Sequence, residues 1–137
     1  MTEMLPEGSN AVVHGRGAIV SLEPVPAADV VSGHPRQGVI ELGGIAGCEA
    51  GIWELRGGAV TDTEVDELFV VISGGAKIEL LDAHHTVEVK AGDVMRLVAG
   101  TRTRWTVPDH IRKVYLSAVE TVEPAESGAA ESEPAAE

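Results

Sequence analysis

Glu67 is the side chain of this sequence that is best placed to do acid–base chemistry. It begins the strand-like run 67–72, in which side chains alternate between two faces, so Glu67 shares a face with Phe69. A carboxylate on an apolar face is costly unless it is paired or hydrogen-bonded. Burial beside Phe69, Trp53 and Trp105 is an environment that tunes a carboxyl group for proton transfer. Glu67 is therefore the one candidate for a catalytic residue, although we favour a hydrogen bond to Thr or Trp in a pocket, or an ion pair with an arginine.

A second strand-like run, 103–107, sorts its side chains in the same way. Thr103 and Trp105 share one face, whereas Arg102 and Arg104 lie on the opposite face. Because the arginines point away from Thr103, we expect a solvated basic face, or one neutralised by the acidic C-terminal tail or a partner subunit, rather than an anion site. The basic residues assigned to this face are Arg96, Arg102, Arg104, Arg112 and Lys113.

The histidines are poorly placed to bind a metal. His84 and His85 lie between two strand-like runs, where a hairpin turn is expected, and His110 lies in another turn. His14 and His34 belong to an irregular N-terminal region. None of the five shares a strand face with Glu67 at a ligand spacing, so we expect them all on the surface.

The charge and cysteine content exclude several classes of protein. The net charge of -12 argues against a nucleic-acid partner, which needs a basic surface. No apolar stretch approaches the roughly 20 residues of a membrane span, so no membrane partner is expected. Cys48, the single cysteine, rules out an intrachain disulfide and is expected to be a small buried side chain. The N-terminus lacks the features of a signal peptide, and together these points predict a cytoplasmic protein.

The elements that must position these residues read as short β-strands. No window holds a long helical period, and glycine, aspartate or proline separates most of the apolar runs. We divide the chain into an N-terminal lead-in with short strands (1–37), an antiparallel all-β barrel (38–120) and an acidic disordered tail (121–137). The predicted strands are 12–13 and 18–22 in the lead-in, then 39–42, 49–56, 68–72, 76–81, 86–90, 94–98, 103–107 and 113–119.

A series of short motifs lies within the predicted barrel. They are Gly51-Ile52-Trp53-Glu54, Gly57-Gly58, Asp66 to Gly74, Ala91-Gly92-Asp93-Val94, Ala99-Gly100-Thr101, Thr103 to Val107 and Arg112 to Tyr115. The series resembles the cupin superfamily over about residues 38–119, and more closely its small single-domain branch related to ureidoglycine aminohydrolase and ethanolamine-utilisation cupins. This resemblance implies a double-stranded β-helix, or jelly roll, with a pocket in the mouth of the barrel.

The two metal motifs of that family are only partly kept. The first expects two histidines shortly before a glutamate; this chain has Glu67, but only Thr61 and Thr63 where the histidines belong. The second expects a histidine where this chain has Thr103. Threonine hydroxyls are poor ligands for divalent transition metals. The resemblance therefore implies a pocket with no metal and no other cofactor, lined by Trp53, Thr61, Thr63, Glu67, Phe69, Thr103 and Trp105.

Three functions remain open at this point. The first is a metal-free cupin that binds a small polar molecule in the barrel or serves as a dimeric binding module. The second is an enzyme of the amidohydrolase, isomerase or lyase type, with Glu67 as the acid or base and the threonines positioning the substrate. The third is a purely structural dimerisation domain, because related cupins commonly pair as homodimers. A cavity large enough for a ligand would favour the first two, and a solid barrel the third.

Overall fold

Seven β-strands form most of the regular structure in this computed structural model, which describes residues 3–119. The predicted all-β fold with little helix is confirmed, since the described residues contain only one helical element, a 3-10 turn at Ala27–Asp29. The predicted disordered tail lies outside the described residues. The strands are β1 (Glu23–Pro24), β2 (Val30–Ile45), β3 (Cys48–Thr63), β4 (Glu67–Leu80), β5 (His85–Lys90), β6 (Val94–Leu97) and β7 (Arg102–Ala118).

All strand pairs are antiparallel, and their order is β1-β2-β3-β7-β4-β5. The first half of β4 pairs with β6 and its second half with β5, while β7 follows its other side along nearly its whole length. The sheet rolls into a jelly-roll barrel, and its inner face supplies a core that includes Leu55, Phe69, Ile78, Val107 and Ile111. Among the described residues, no helix is long and apolar enough to cross a membrane.

Two strands are longer than the sequence runs predicted, because each continues through a bulge. In β4 the runs 68–72 and 76–81 join at Gly74, whose φ of +73° is one that L side chains rarely adopt. A Cβ at this position would lie 2.0 Å from the carbonyl oxygen of His110. In β7 the runs 103–107 and 113–119 join across Pro108, where the ladder with β3 slips by one residue. The outward side of β4 is partly exposed, with Leu68 50% exposed.

The lead-in contains neither of the strands predicted at 12–13 and 18–22, and the sheet extends further upstream than expected, since β2 already begins at Val30. The 3-10 turn and the two-residue strand β1 occupy the segment where the prolines forbid a central strand. Cys48 is half-buried at the start of β3.

Arg112 holds the lead-in against the barrel. It was expected on a solvated face, but it is only 8% exposed. Its Nη1 donates hydrogen bonds to the carbonyl oxygens of Gly15 at 2.8 Å, Arg16 at 3.2 Å and Ala18 at 2.6 Å. Its Nε and Nη2 donate to Oε1 of Glu54, its partner across the β3–β7 ladder. The expectation failed because the carbonyl partners of this guanidinium belong to residues 94 to 97 positions away in the sequence.

His110 also departs from its expected surface position. Its side chain is 20% exposed, and its Nε2 lies 2.5 Å from Oγ of Ser73 on β4. Its Nδ1 lies 2.8 Å from Oδ2 of the neighbouring Asp109. The imidazole therefore bridges β4 and β7 beside the bulge at Gly74.

Candidate functional site

A cavity of about 300 Å³ opens between β2, β3, β4 and β7. Four of the residues that the sequence assigned to a pocket line it, namely Trp53, Thr61, Glu67 and Trp105. Phe69 and Thr103 are buried beside it, with exposures of 1% and 0%, but do not form its wall.

Thr63 was wrongly placed in the pocket. It is exposed at the last position of β3, and its backbone N–H donates to Oδ1 of Asp62 at 2.8 Å. The strand ends here and the chain turns, so strand alternation no longer applies. Glu64, the next residue, points inward in its place and is only 7% exposed.

Lys113 and Glu67 form a buried ion pair in the wall of the cavity. Lys113 Nζ donates to Glu67 Oε2 at 2.6 Å, and the two side chains are only 7% and 10% exposed. Lys113 lies directly opposite Trp53 in the β3–β7 ladder and opposite Val71 in the β4–β7 ladder. It was expected on the solvated basic face, but its odd position places it with Trp105 on the inner face. Glu67 thus pairs with a cation across the barrel, and that cation is a lysine rather than an arginine.

Three aromatic rings surround the same ammonium group. Lys113 Nζ lies 4.4 Å from the ring centroid of Phe69, 4.7 Å from that of Trp53 and 4.8 Å from that of Trp105. All three distances are within cation–π range, and such contacts strengthen when the cation is desolvated. Trp53 and Trp105 also meet edge to face with centroids 5.4 Å apart. The rings and the carboxylate together hold one positive charge at a fixed point inside the barrel.

Glu64 makes the hydrogen bonds that the sequence analysis considered for Glu67. Its Oε2 accepts from Thr103 Oγ1 at 2.6 Å and from Trp105 Nε1 at 3.0 Å. The inward position of Glu64 does not follow from strand alternation, because Glu64 lies in the turn between β3 and β4. The only feature of the sequence that could have indicated it is that Glu64 is an acidic residue close to Glu67.

Two other residues of the wall have raised pKa values, mainly because of burial and in second place because of nearby carboxylates. Burial raises the pKa of Asp62 to about 6, and the neighbouring Glu64 and Asp29 raise it further, while Lys113 and the Thr63 N–H act in the opposite direction. Burial and then the charge of Glu67 also raise the pKa of Tyr115 above its ordinary value.

The residues around the cavity do not fit a divalent metal. Across residues 3–119, no group of three or more His, Cys, Asp or Glu side chains could hold a metal ion. The threonines of the metal motifs do not surround Glu67 either. Thr61 donates weakly to the Asp29 carbonyl at 3.5 Å, Thr103 donates to Glu64, and Thr63 is exposed. The position beside the Glu67 carboxylate is taken by the Lys113 ammonium.

The chain also matches a known family and known folds. The model of the EutQ-like cupin domain matches residues 44–115, whereas no curated protein matches the chain. The EutQ protein of Clostridium difficile is 18% identical, with a TM-score of 0.61 over 78% of this chain and 85% of that chain. The polyketide cyclase RemF of Streptomyces resistomycificus is 17% identical, with a TM-score of 0.59 over 86% and 89%. A Pseudomonas syringae pv. tomato protein of unknown function is 21% identical, with a TM-score of 0.63 over 74% and 45%. At these identities the solved structures show a shared fold and no more.

Proposed function

The chain belongs to the EutQ-like cupin domain family, and from this we propose that it is a metal-free cupin that binds a small polar molecule in its barrel. One observation carries the proposal. The Lys113 ammonium is ion-paired with Glu67 and enclosed by three aromatic rings, at the wall of a cavity of about 300 Å³. A fixed internal cation takes the place beside Glu67 where a metal cation would be expected in this fold.

The other two functions have less support. A carboxylate that is already paired with an ammonium at 2.6 Å is not free to take a proton from a substrate, which weakens the case for Glu67 as a general acid or base. A cavity of this size, with polar groups converging on it, is more than a purely structural dimerisation domain needs.

Binding of a ligand should be detectable through the fluorescence of the tryptophans. Trp53 and Trp105 are the only two tryptophans of the chain and both line the cavity, so a bound molecule should change the intrinsic fluorescence. A set of small polar molecules of different charge would be titrated by fluorescence, and each hit checked by calorimetry. Metal analysis of the same protein should find well under one equivalent of Mn, Fe, Ni or Zn, with no loss of thermal stability in a chelator.

A matched pair of variants on β2 locates the binding. Val39 is 44% exposed and lines the cavity, so Val39→Phe should weaken every hit about tenfold or more by filling the mouth. Val31 is 47% exposed on the same strand but away from the cavity, so Val31→Phe should leave binding unchanged. Equal effects of the two changes, or a stoichiometric metal, would contradict the proposal.

We also propose that the protein is a cytoplasmic homodimer. The outer face of β4 and β6 presents Leu68 at 50% exposure and Val94 at 63% exposure, a surface that a second copy would cover. Light scattering should therefore give twice the chain mass, and the double variant Leu68→Lys, Val94→Lys should reduce it to one chain. A parent protein that elutes as a monomer at micromolar concentration would rule this out.

A further inference from the structure

The wall of the cavity carries more negative than positive charge. Its charged side chains are Asp29, Asp62, Glu64 and Glu67 against Lys113 alone. Since Lys113 is bound to Glu67 at 2.6 Å, its charge is largely balanced there and by the surrounding rings. Three carboxylates therefore face the cavity without a matching cation among the residues that line it.

Glu64 offers an unused acceptor at the cavity. Both side-chain hydrogen bonds that it accepts, from Thr103 and from Trp105, end on Oε2. Its Oε1 takes part in no hydrogen bond within residues 3–119, although the residue is only 7% exposed. This oxygen is not one of the fully buried atoms that lack a partner among the described residues, and Glu64 lines the cavity. Glu64 Oε1 is therefore available to accept a hydrogen bond or an ion pair from a bound molecule.

The remaining surfaces of the cavity are aromatic. Trp53, Trp105 and Tyr115 contribute to its wall beside the carboxylates. Rings of this kind attract organic cations through their π faces, and they exclude water from the charged nitrogen. Anions find only Lys113, which is already paired, and would face three carboxylates.

We propose that the cavity takes a small organic cation, an amine or a quaternary ammonium compound, with its charged nitrogen beside Glu64 and Asp62. At the roughly 30 Å³ that one water molecule takes up in the liquid, a cavity of about 300 Å³ has the volume of about ten waters, which is enough for a small organic cation. This inference rests on the proposed binding function and adds the chemical class of the ligand.

The test compares molecules of one shape and different charge. Choline, its neutral carbon analogue 3,3-dimethylbutan-1-ol, n-propylamine and propionate are each titrated at pH 7.5 and low salt, by tryptophan fluorescence and calorimetry. We expect both cations to bind, and we expect the affinity of the neutral analogue to be at least about tenfold lower than that of choline. Choline does not titrate, so its affinity should rise between pH 5 and pH 7 as Asp62 loses its proton near pH 6. Asp62 titrates in contact with the charges of Asp29, Glu64 and Lys113.

Conservative variants test whether the charged nitrogen of the ligand contacts Glu64 and Asp62. Glu64→Gln and Asp62→Asn should each weaken choline about tenfold, and Asp62→Asn should also remove the pH dependence. Glu88→Gln is the control, because it is the same chemical change at an exposed residue of β5 that does not line this cavity. Asp62 is an exposed residue by its whole surface, although its carboxyl group is partly desolvated, so its variant keeps the test valid if Glu64→Gln fails to fold.

The outcomes separate the two proposals. Equal or tighter binding of the neutral analogue or of propionate would overturn the cation assignment while leaving the binding function standing. Choline affinity that is unchanged in both carboxyl variants would overturn it as well. If none of the four compounds, and no molecule of the wider set, binds to the protein, the binding function itself is overturned.

Discussion

Replacing Lys113 by methionine should destabilise the protein by about 3–5 kcal/mol, because the change leaves the Glu67 carboxylate buried without its partner. Glu67 is 10% exposed, and Lys113 is the donor of the hydrogen bond at 2.6 Å that it accepts across the barrel. The rings of Phe69, Trp53 and Trp105 lose their central cation in the same step. Methionine keeps most of the length and apolar volume of lysine, so the loss reports charge rather than a cavity.

Urea unfolding of the parent and of four variants measures this effect: Lys113→Met, Glu67→Gln, the double variant and a control. Lys77→Met, on the exposed side of β4, should change the free energy of unfolding by well under 1 kcal/mol. The double variant Lys113→Met, Glu67→Gln should recover much of the lost stability, because a buried ion pair replaced on both sides leaves no unpaired charge. A double variant that is as unstable as the sum of the two single ones would show that the pair is not coupled, and would contradict the ion pair as the internal cation site.

The sequence predicts the position of those site residues that lie within a regular strand, where side chains alternate between two faces. The all-β fold, the inward position of Trp105 and the exposed position of Arg102 all follow from the period of two. Lys113 follows the same rule, since Thr103, Trp105, Ile111 and Lys113 are odd positions and are all buried. We missed it because Pro108 was taken to end the strand, whereas β7 continues through the bulge there and stays paired with β3 and β4 beyond it.

Other features lie beyond any local pattern. Glu64 is brought inward by a turn, and its hydrogen bonds to Thr103 and Trp105 span about forty residues. Arg112 is an even position on the outward side of β7, where alternation predicts solvent. It is buried because the lead-in passes over it, and the carbonyl groups that make this favourable lie 94 to 97 positions away. The sequence shows the type of such a residue but not the groups that it will contact.

Arg112→Met should also cost about 3–5 kcal/mol, and it should release the lead-in from the barrel. The guanidinium satisfies the carbonyl groups of Gly15, Arg16 and Ala18 and the carboxylate of Glu54 at once. Removing it leaves several buried acceptors without donors. In hydrogen exchange, the amide of Gly17, which donates to the His14 carbonyl, should lose its protection first, while those of β4 should change only in line with global stability. Arg104→Met, on the same strand at 42% side-chain exposure, should cost no more than about 1 kcal/mol.

The pH dependence of stability gives this prediction a second readout. Burial alone would raise the pKa of Glu54, but hydrogen bonds from Arg112 and Arg56 bring the pKa below its ordinary value of 4.5. The unfolded chain therefore binds more protons than the folded one below pH 4.5, and stability falls as the pH falls through the folded pKa. Without Arg112, only Arg56 opposes the effect of burial on the pKa of Glu54, so this part of the acid sensitivity should shrink. A variant whose stability declines with acid as steeply as the parent, and whose lead-in stays protected, would show that Arg112 does not hold the two together.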